Sequence, residues 1–314
     1  MERIKHFPIP FFAVVMGLSG LAIAYQKAYH LFGIPKIIYE ILMFSAAAAF
    51  VVIAIFYLAK SFLYFDEVKA DFLHPIRVNF FAAISISLLL LSISFYFYYP
   101  LVAMILWVFG TLIHLFMTFY VVSFWIRHNF EITHTNPAWF IPIVGNVLVP
   151  VVGVDFLPKE VSLYFFSVGM FFWLVLGTII FYRIIFHHQL PQKFIPTLFI
   201  FIAPPAVGFV AYMRIFATFD FTAMLLLNIA LFFTVLLFFM GRSFTGLKFF
   251  ISWWAFTFPL DAVAIAFMSA YQISGSAFYG AIGLVFLTVA TLVVGYVAFV
   301  TLVNIRKKEI CVEE

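Results

Sequence analysis

The stretch "WWAFTFPLDA", Trp253 to Ala262, decides how this chain is read. It lies inside an apolar segment spanning residues 249–272, long enough for a membrane helix. Yet it places a proline and an aspartate where such a helix is deepest. Proline removes a backbone donor. A carboxylate at the bilayer centre costs about 2.5–3.5 kcal/mol on insertion scales. Broken backbone in a membrane is tolerated where it is buried in protein or lines a cavity. The stretch therefore points to a helix inside a bundle.

The composition around it agrees. Of 314 residues, 66% are hydrophobic and only 10% charged, whereas a soluble domain is about half apolar and a quarter charged. One core cannot hide that much apolar surface, so lipid is the solvent. Residues 1–314 read as one transmembrane domain with short polar tails. "MERIKHFPIPFF" lacks a small-residue cleavage pattern, so the first apolar segment is expected to be an uncleaved span. A lone cysteine, Cys311, allows no disulfide within the chain and no cysteine metal site. The net charge of +4 comes with no basic run on a polar surface, which argues against nucleic acid as a partner.

Apolar segments run roughly over 9–26, 37–64, 78–98, 101–126, 137–155, 160–186, 196–218, 220–241, 249–272 and 277–305, which predicts ten spans. Arg3, Lys5, Lys60, Lys69, Arg77, Arg127, Arg183, Lys193, Arg242, Lys248, Arg306, Lys307 and Lys308 then fall on one side, with only Lys27, Lys36, Lys159 and Arg214 on the other. This 13-to-4 bias predicts cytoplasmic termini.

The prolines repeat. Pro8, Pro10, Pro75, Pro137 and Pro196 precede or open odd-numbered spans, and from Pro10 the spacings are 65, 62 and 59 residues. The interior prolines Pro142, Pro150, Pro204, Pro205 and Pro259 all lie in odd spans. A period near 60 with two spans per unit suggests five parallel helical hairpins. The odd helices become candidates for an inner ring. Their small residues, Gly17, Gly20, Gly145 and Gly208 among them, fit either close packing or a lumen.

Deep ionisable residues are few. Asp261 in span nine could couple protons, attract cations or line a pore, or else make a structural bond between helices. His114 in span four could pair with it. Asn146 and Asn228 read as structural bonding partners. His128, His134, His187 and His188 lie outside the spans and give no haem-ligand pattern. Hydrolase motifs and a Walker A loop are absent, so neither an enzyme nor an ATP-driven pump is expected, and no cofactor or metal. Arg77, at the mouth of span three, could attract anions or anchor the helix end.

Four motifs carry a family resemblance: "FPIPFFAVVMGLSGLAIAY" (7–25), "HPIRVNFF" (74–81), "NPAWFIPIVG" (136–145) and "WWAFTFPL" (253–260). Together they resemble the tellurite-resistance and dicarboxylate transporter family, which includes bacterial TehA and the slow anion channels of plant guard cells. The resemblance implies an all-α polytopic fold, with ten helices as five hairpins in quasi-five-fold arrangement around a central pore. It implies a homotrimer with one pore per protomer, a bacterial cell membrane as the setting, and small inorganic or organic anions as cargo. It places a pore-closing phenylalanine at Phe258, with Pro259 bending the gate helix. The family pattern is broken at Val15 and Ser85, where relatives carry proline, and at Asp261, where they carry a neutral residue. The leading expectation is a gated channel for chloride or nitrate, occluded by Phe258. The alternative is a proton-coupled carrier of dicarboxylate, sulfite or tellurite-like anions. A third is a membrane partner whose pore stays shut.

Overall fold

The computed structural model describes residues 2–312, and no strand occurs among them. The apolar segments, in chain order, are α1 Ile9–Phe32, α2 Lys36–Leu63, α3 Arg77–Phe95, α4 Pro100–Arg127, α5 Pro137–Gly153, α6 Lys159–Phe186, α7 Gln192–Phe216, α8 Phe221–Phe239, α9 Ile251–Ser274 and α10 Ala277–Lys307. Among the described residues, nine of these are long and apolar enough to cross a membrane. The chain is an integral membrane protein.

The segment that departs from expectation is α5. It is no continuous helix but a chain of short pieces: a 3-10 turn Pro137–Phe140, an α turn Ile141–Val144, a second 3-10 turn Gly145–Leu148 and an α turn Pro150–Gly153. Pro137, Pro142 and Pro150 stand at the first or second residue of three of these pieces, and each withholds a donor from a continuous ladder. The 3-10 turns compensate in length, rising about 2.0 Å per residue against 1.5 Å.

This geometry belongs to a wider pattern. All five odd-numbered segments open with 3-10 turns: Ile9–Phe11, Arg77–Phe81, Pro137–Phe140, Gln192–Ile202 and Ile251–Phe256. No even-numbered segment does. Proline is not the shared cause, because α3 has none from Arg77 onward and still makes the switch. Pro204 and Pro259 lie in the first turn of the α-helical part that follows, where a missing N–H is cheapest. In α9 the geometry changes between Phe256 and Thr257, ahead of Pro259.

Odd and even helices also differ in burial. The apolar cores of α1, α3, α7 and α9 are 61, 89, 67 and 67% buried, against 22–39% for the five even helices. The inner segments touch in a closed order: α1 packs on α3 and α9, α3 on α5, α5 on α7, and α7 on α9. Each even helix packs outside the odd helix before it. Lipid supplies no hydrophobic drive between helices, so close van der Waals fit must hold them. Gly20 of α1 shows how close. A Cβ there would come 2.6 Å from Asp261 Oδ2 and 3.0 Å from Phe258 Cδ2.

One end of the bundle is tied by a buried ion cluster. Lys60 Nζ, at the end of α2, donates to Asp71 Oδ2 at 2.8 Å and to the Phe7 carbonyl at 3.1 Å. Arg77 Nη1, at the start of α3, donates to Asp71 Oδ1 at 2.8 Å. Asp71 sits on a short helix, Phe65–Leu73, that bridges α2 and α3.

Candidate functional site

The 3-10 openings and the first α turns of the inner segments enclose one cavity. Its wall is drawn from all five odd segments and from no even one: Pro10, Ala13 and Met16 of α1, Phe80, Ala83 and Ile86 of α3, Phe140 to Leu148 of α5, Thr197 to Val207 of α7, and Ile251 to Pro259 of α9. It encloses about 90 Å³, room for a few waters. The lining is apolar except for Thr197, Ser252 and the indole N–H of Trp254, which is given to Thr301 Oγ1 at 3.0 Å. Even these give their protons away, Thr197 to the Phe194 carbonyl and Ser252 to the Lys193 carbonyl. The cavity's side chains thus offer an ion lone pairs but no hydrogen-bond donor.

Phe258 and Pro259 both line this cavity. Phe258 is 8% exposed and lies over Gly20, whose missing Cβ leaves room for the ring. Among the described residues no ring–ring contact involves it, whereas Phe256 packs edge-on against Phe199 at 4.8 Å and Phe244 at 5.7 Å.

Asp261, one turn further along α9, is fully buried and is not part of the cavity wall. Its carboxylate lies against Gly20, and neither oxygen has a hydrogen-bond partner. The pairing with His114 is not formed. His114 Nδ1 instead lies 2.8 Å from Ser85 Oγ, and Nε2 has no partner. Ser85 Oγ also lies 2.8 Å from the Ala82 carbonyl, so the hydroxyl sits between its own helix and the imidazole. The ring fills the space where a Gly145 side chain would be, 2.8 Å from Nε2. Asn146 Nδ2 ties α5 to α4 through Thr118 Oγ1 at 2.9 Å, a structural bond as expected. Asn228 Nδ2 only bonds back to the Met224 carbonyl on its own helix.

Arg77 is not a free cation at the mouth, because its guanidinium is held by Asp71. Its neighbour His74 is a residue that sequence reasoning missed. His74 Nδ1 accepts from the Ile76 and Arg77 amides at 3.1 and 3.2 Å, which caps the start of α3. Burial, then Arg77, hold its imidazole below the ordinary histidine range, and His134 and Lys193 push the same way. The "HP" dipeptide was the available signal, since a side-chain acceptor before a helical turn is capping chemistry.

Known proteins match this sequence along most of its length. Residues 6–302 match the SLAC1 family, described as voltage-dependent anion channel. The S-type anion channel SLAH2 of Arabidopsis thaliana is 32% identical over 272 residues, covering 83% of this chain and 52% of the relative. The guard cell S-type anion channel SLAC1 of the same plant is 28% identical over 281 residues, 83% of this chain and 49% of the relative. The chain spans about half the length of these plant relatives. The tellurite resistance protein TehA homolog of Haemophilus influenzae is 29% identical over 282 residues, 87% of this chain and 84% of the relative. A match that begins before α1 and stops only within the last turns of α10 leaves no span outside it, and the chain belongs to the SLAC1 family of voltage-dependent anion channels.

Proposed function

We propose that the chain passes small monovalent anions, such as chloride and nitrate, along the axis of its inner segments, with Phe258 as the plug. The observation that carries this reading is the cavity wall, drawn from every inner segment and no outer one, with Phe258 on it. An ion crossing an apolar lumen without donors must shed water at its own expense. Selectivity then follows dehydration cost rather than tight binding. A phenyl ring fills the cross-section and also denies water to the ion.

On this reading residues 1–314 form one domain of ten spans, five hairpins around a pore. The two ends of α5 favour its crossing. Its start lies with the starts of α3 and α7, where His134 and Lys193 act on His74. Its end lies with the end of α7, where the Val151 carbonyl accepts from Arg214 Nε at 2.8 Å. A homotrimer in a bacterial cell membrane, with cytoplasmic termini, completes the proposal and rests on the family resemblance and the charge bias. A second reading, a proton-coupled carrier of dicarboxylate or sulfite-like anions, has one observation in its favour: the buried, unpartnered Asp261 beside the plug.

The test compares Phe258→Ala with Phe256→Ala in planar bilayers bathed in chloride, nitrate and malate. If the Phe258 ring faces a lumen, its removal costs little packing and opens a water path. If it is packed, truncation costs about 3–5 kcal/mol. The expected result is a folded Phe258→Ala protein with much larger chloride and nitrate currents than wild type, and no such gain for Phe256→Ala. A destabilised Phe258→Ala protein without added current would return Phe258 to the core.

A further inference from the structure

A polar side-chain atom buried without a hydrogen-bond partner is rare in a folded protein, and each one calls for a reason. Among the described residues, five side chains leave such a nitrogen: His114, Trp125, His134, Trp139 and Arg183. His114 stands by itself behind Gly145. The other four gather where α4 ends, α5 starts and α6 ends. The Trp125 and Trp139 rings stack with centroids 4.4 Å apart. The Phe130 ring lies 6.0 Å from that of Trp139 and 6.3 Å from that of His134, which makes one continuous cluster. Arg183 reaches this corner from α6, on the buried stripe that also holds Gly169, Leu176 and Ile180. A Cβ on Gly169 would lie 2.6 Å from Val147 Cγ1, which seats that residue on the middle of α5. From there α6 continues about 21 Å to Arg183, at about 1.5 Å per residue. On the way it packs on the turn Pro137–Phe140, which carries Trp139. Helix side chains lean toward the N-terminus, so the guanidinium leans back toward that turn.

We propose that this corner binds a phosphate-class oxyanion, held by Arg183 together with the indole N–H groups of Trp125 and Trp139. The donors are in surplus. Among the described Lys and Arg residues only Lys60 and Arg183 are buried. Lys60 meets the Asp71 carboxylate and the Phe7 carbonyl. Arg183 is 2% exposed, and its Nε and Nη1, which carry most of its N–H bonds, meet no acceptor. An indole N–H can only donate, so Trp125 and Trp139 need acceptors as well. No orphaned oxygen lies between Trp125 and Trp139 in the chain, and the one on α6, Ser162 Oγ, is at its far end. Glu131, the carboxylate of the intervening loop, is exposed and accepts from Thr133. An oxyanion supplies both the missing charge and several acceptor atoms for donors that come from three elements, and guanidinium is the side chain best suited to it. Trp125 and Arg183 lie in the last turns of α4 and α6, the depth at which tryptophans meet lipid headgroups. The phosphate can therefore come from a phospholipid or from solution. None of the three residues lines the cavity, so the site lies off the conduction axis and stands independently of the Phe258 plug.

The test follows thermal unfolding of the purified full chain in detergent. One arm adds phosphatidylglycerol against a phosphatidylcholine background. The other adds inorganic phosphate in exchange for chloride at constant ionic strength. A ligand that binds the native state raises the unfolding midpoint in a saturable way. A rise with inorganic phosphate assigns the site to a free oxyanion, and a rise with phosphatidylglycerol alone assigns it to a headgroup. Either result supports the site when it depends on Arg183. Arg183→Gln should need about tenfold more of the same ligand, as loss of one charge-assisted hydrogen bond predicts. Arg183→Lys should recover part of the response, which a purely structural arginine would not do. Trp139→Phe keeps an aromatic ring in the stack but removes one donor, and should weaken the response while leaving the ligand-free midpoint near that of wild type. No rise with either ligand, or an equal rise in wild type and Arg183→Gln, overturns the site. Should Arg183→Gln fail to fold, Trp125→Phe and Trp139→Phe decide, and an undiminished response in both overturns it.

Discussion

Phe256 and Phe258 are two residues apart in an aromatic-rich chain, and their surroundings separate them. Phe256 is gripped edge-on by rings of α7 and of the loop before α9. Phe258 lines the cavity and lies over Gly20, which has no side chain to meet it. Composition could not choose it among 47 phenylalanines; motif resemblance could, because it fixes position where hydropathy fixes only class. Asp261 was legible as unusual, since a deep carboxylate needs a reason. Its lack of any partner was not legible, because hydrogen bonding between helices depends on rotation angles that hydropathy does not encode. Asparagine preserves the shape of Asp261 and removes its proton. Asp261→Asn is therefore expected to fold normally, and liposome flux assays across pH 5–8 decide its role. Under proton coupling the variant loses the pH dependence of the wild type. PH dependence that persists in Asp261→Asn removes the support for coupling at this residue.

At the scale of elements, length and proline placement were readable, and the kind of helix was not. The segment limits drawn from hydropathy lie within a few residues of most of the helices. A 3-10 turn and an α turn bury similar apolar stripes over a few residues, so the five 3-10 openings leave no separate trace in the sequence. Interior prolines marked three of these segments, α5, α7 and α9, and suggested local bends. The switch in α3 without an interior proline indicates that packing around the cavity, rather than proline, sets the geometry. The short helix Phe65–Leu73 carries charges of both signs, and hydropathy alone does not reveal it. Its Asp71 holds two cations, Lys60 with a side chain 4% exposed and Arg77. Removing one partner of a buried pair leaves a charge without compensation and typically costs about 3–5 kcal/mol. Asp71→Asn is expected to lose stability toward the upper part of that range, because it strands Lys60 beside a second cation. Thermal unfolding in detergent checks it, and a midpoint within a degree of wild type would show that the cluster is dispensable.

Across the whole molecule, the sidedness of the chain follows from which ends meet. The end of α2 reaches back to the chain just before α1 through Lys60 and the Phe7 carbonyl. The start of α9 bonds the start of α7 through Ser252 and the Lys193 carbonyl. At the opposite pole, the ends of α1 and α9 meet through Lys27 and Gln272. On the proposed ten-span reading, the odd segments start at one pole and finish at the other, and the charge bias would place the starting pole in the cytoplasm. Thirteen of the 17 Lys and Arg residues fall at the pole where the odd segments start. Basic residues near span ends stay cytoplasmic. That bias has meaning only if α5 crosses, because a fifth segment that turned back would invert every later loop. Reporter fusions after Glu314 and within the loop at Lys159 test both points together. The expected outcome is a cytoplasmic signal from the first and an external signal from the second. The same compartment for both would mean that α5 does not span, and the charge bias would then lose its footing along with the ten-span topology.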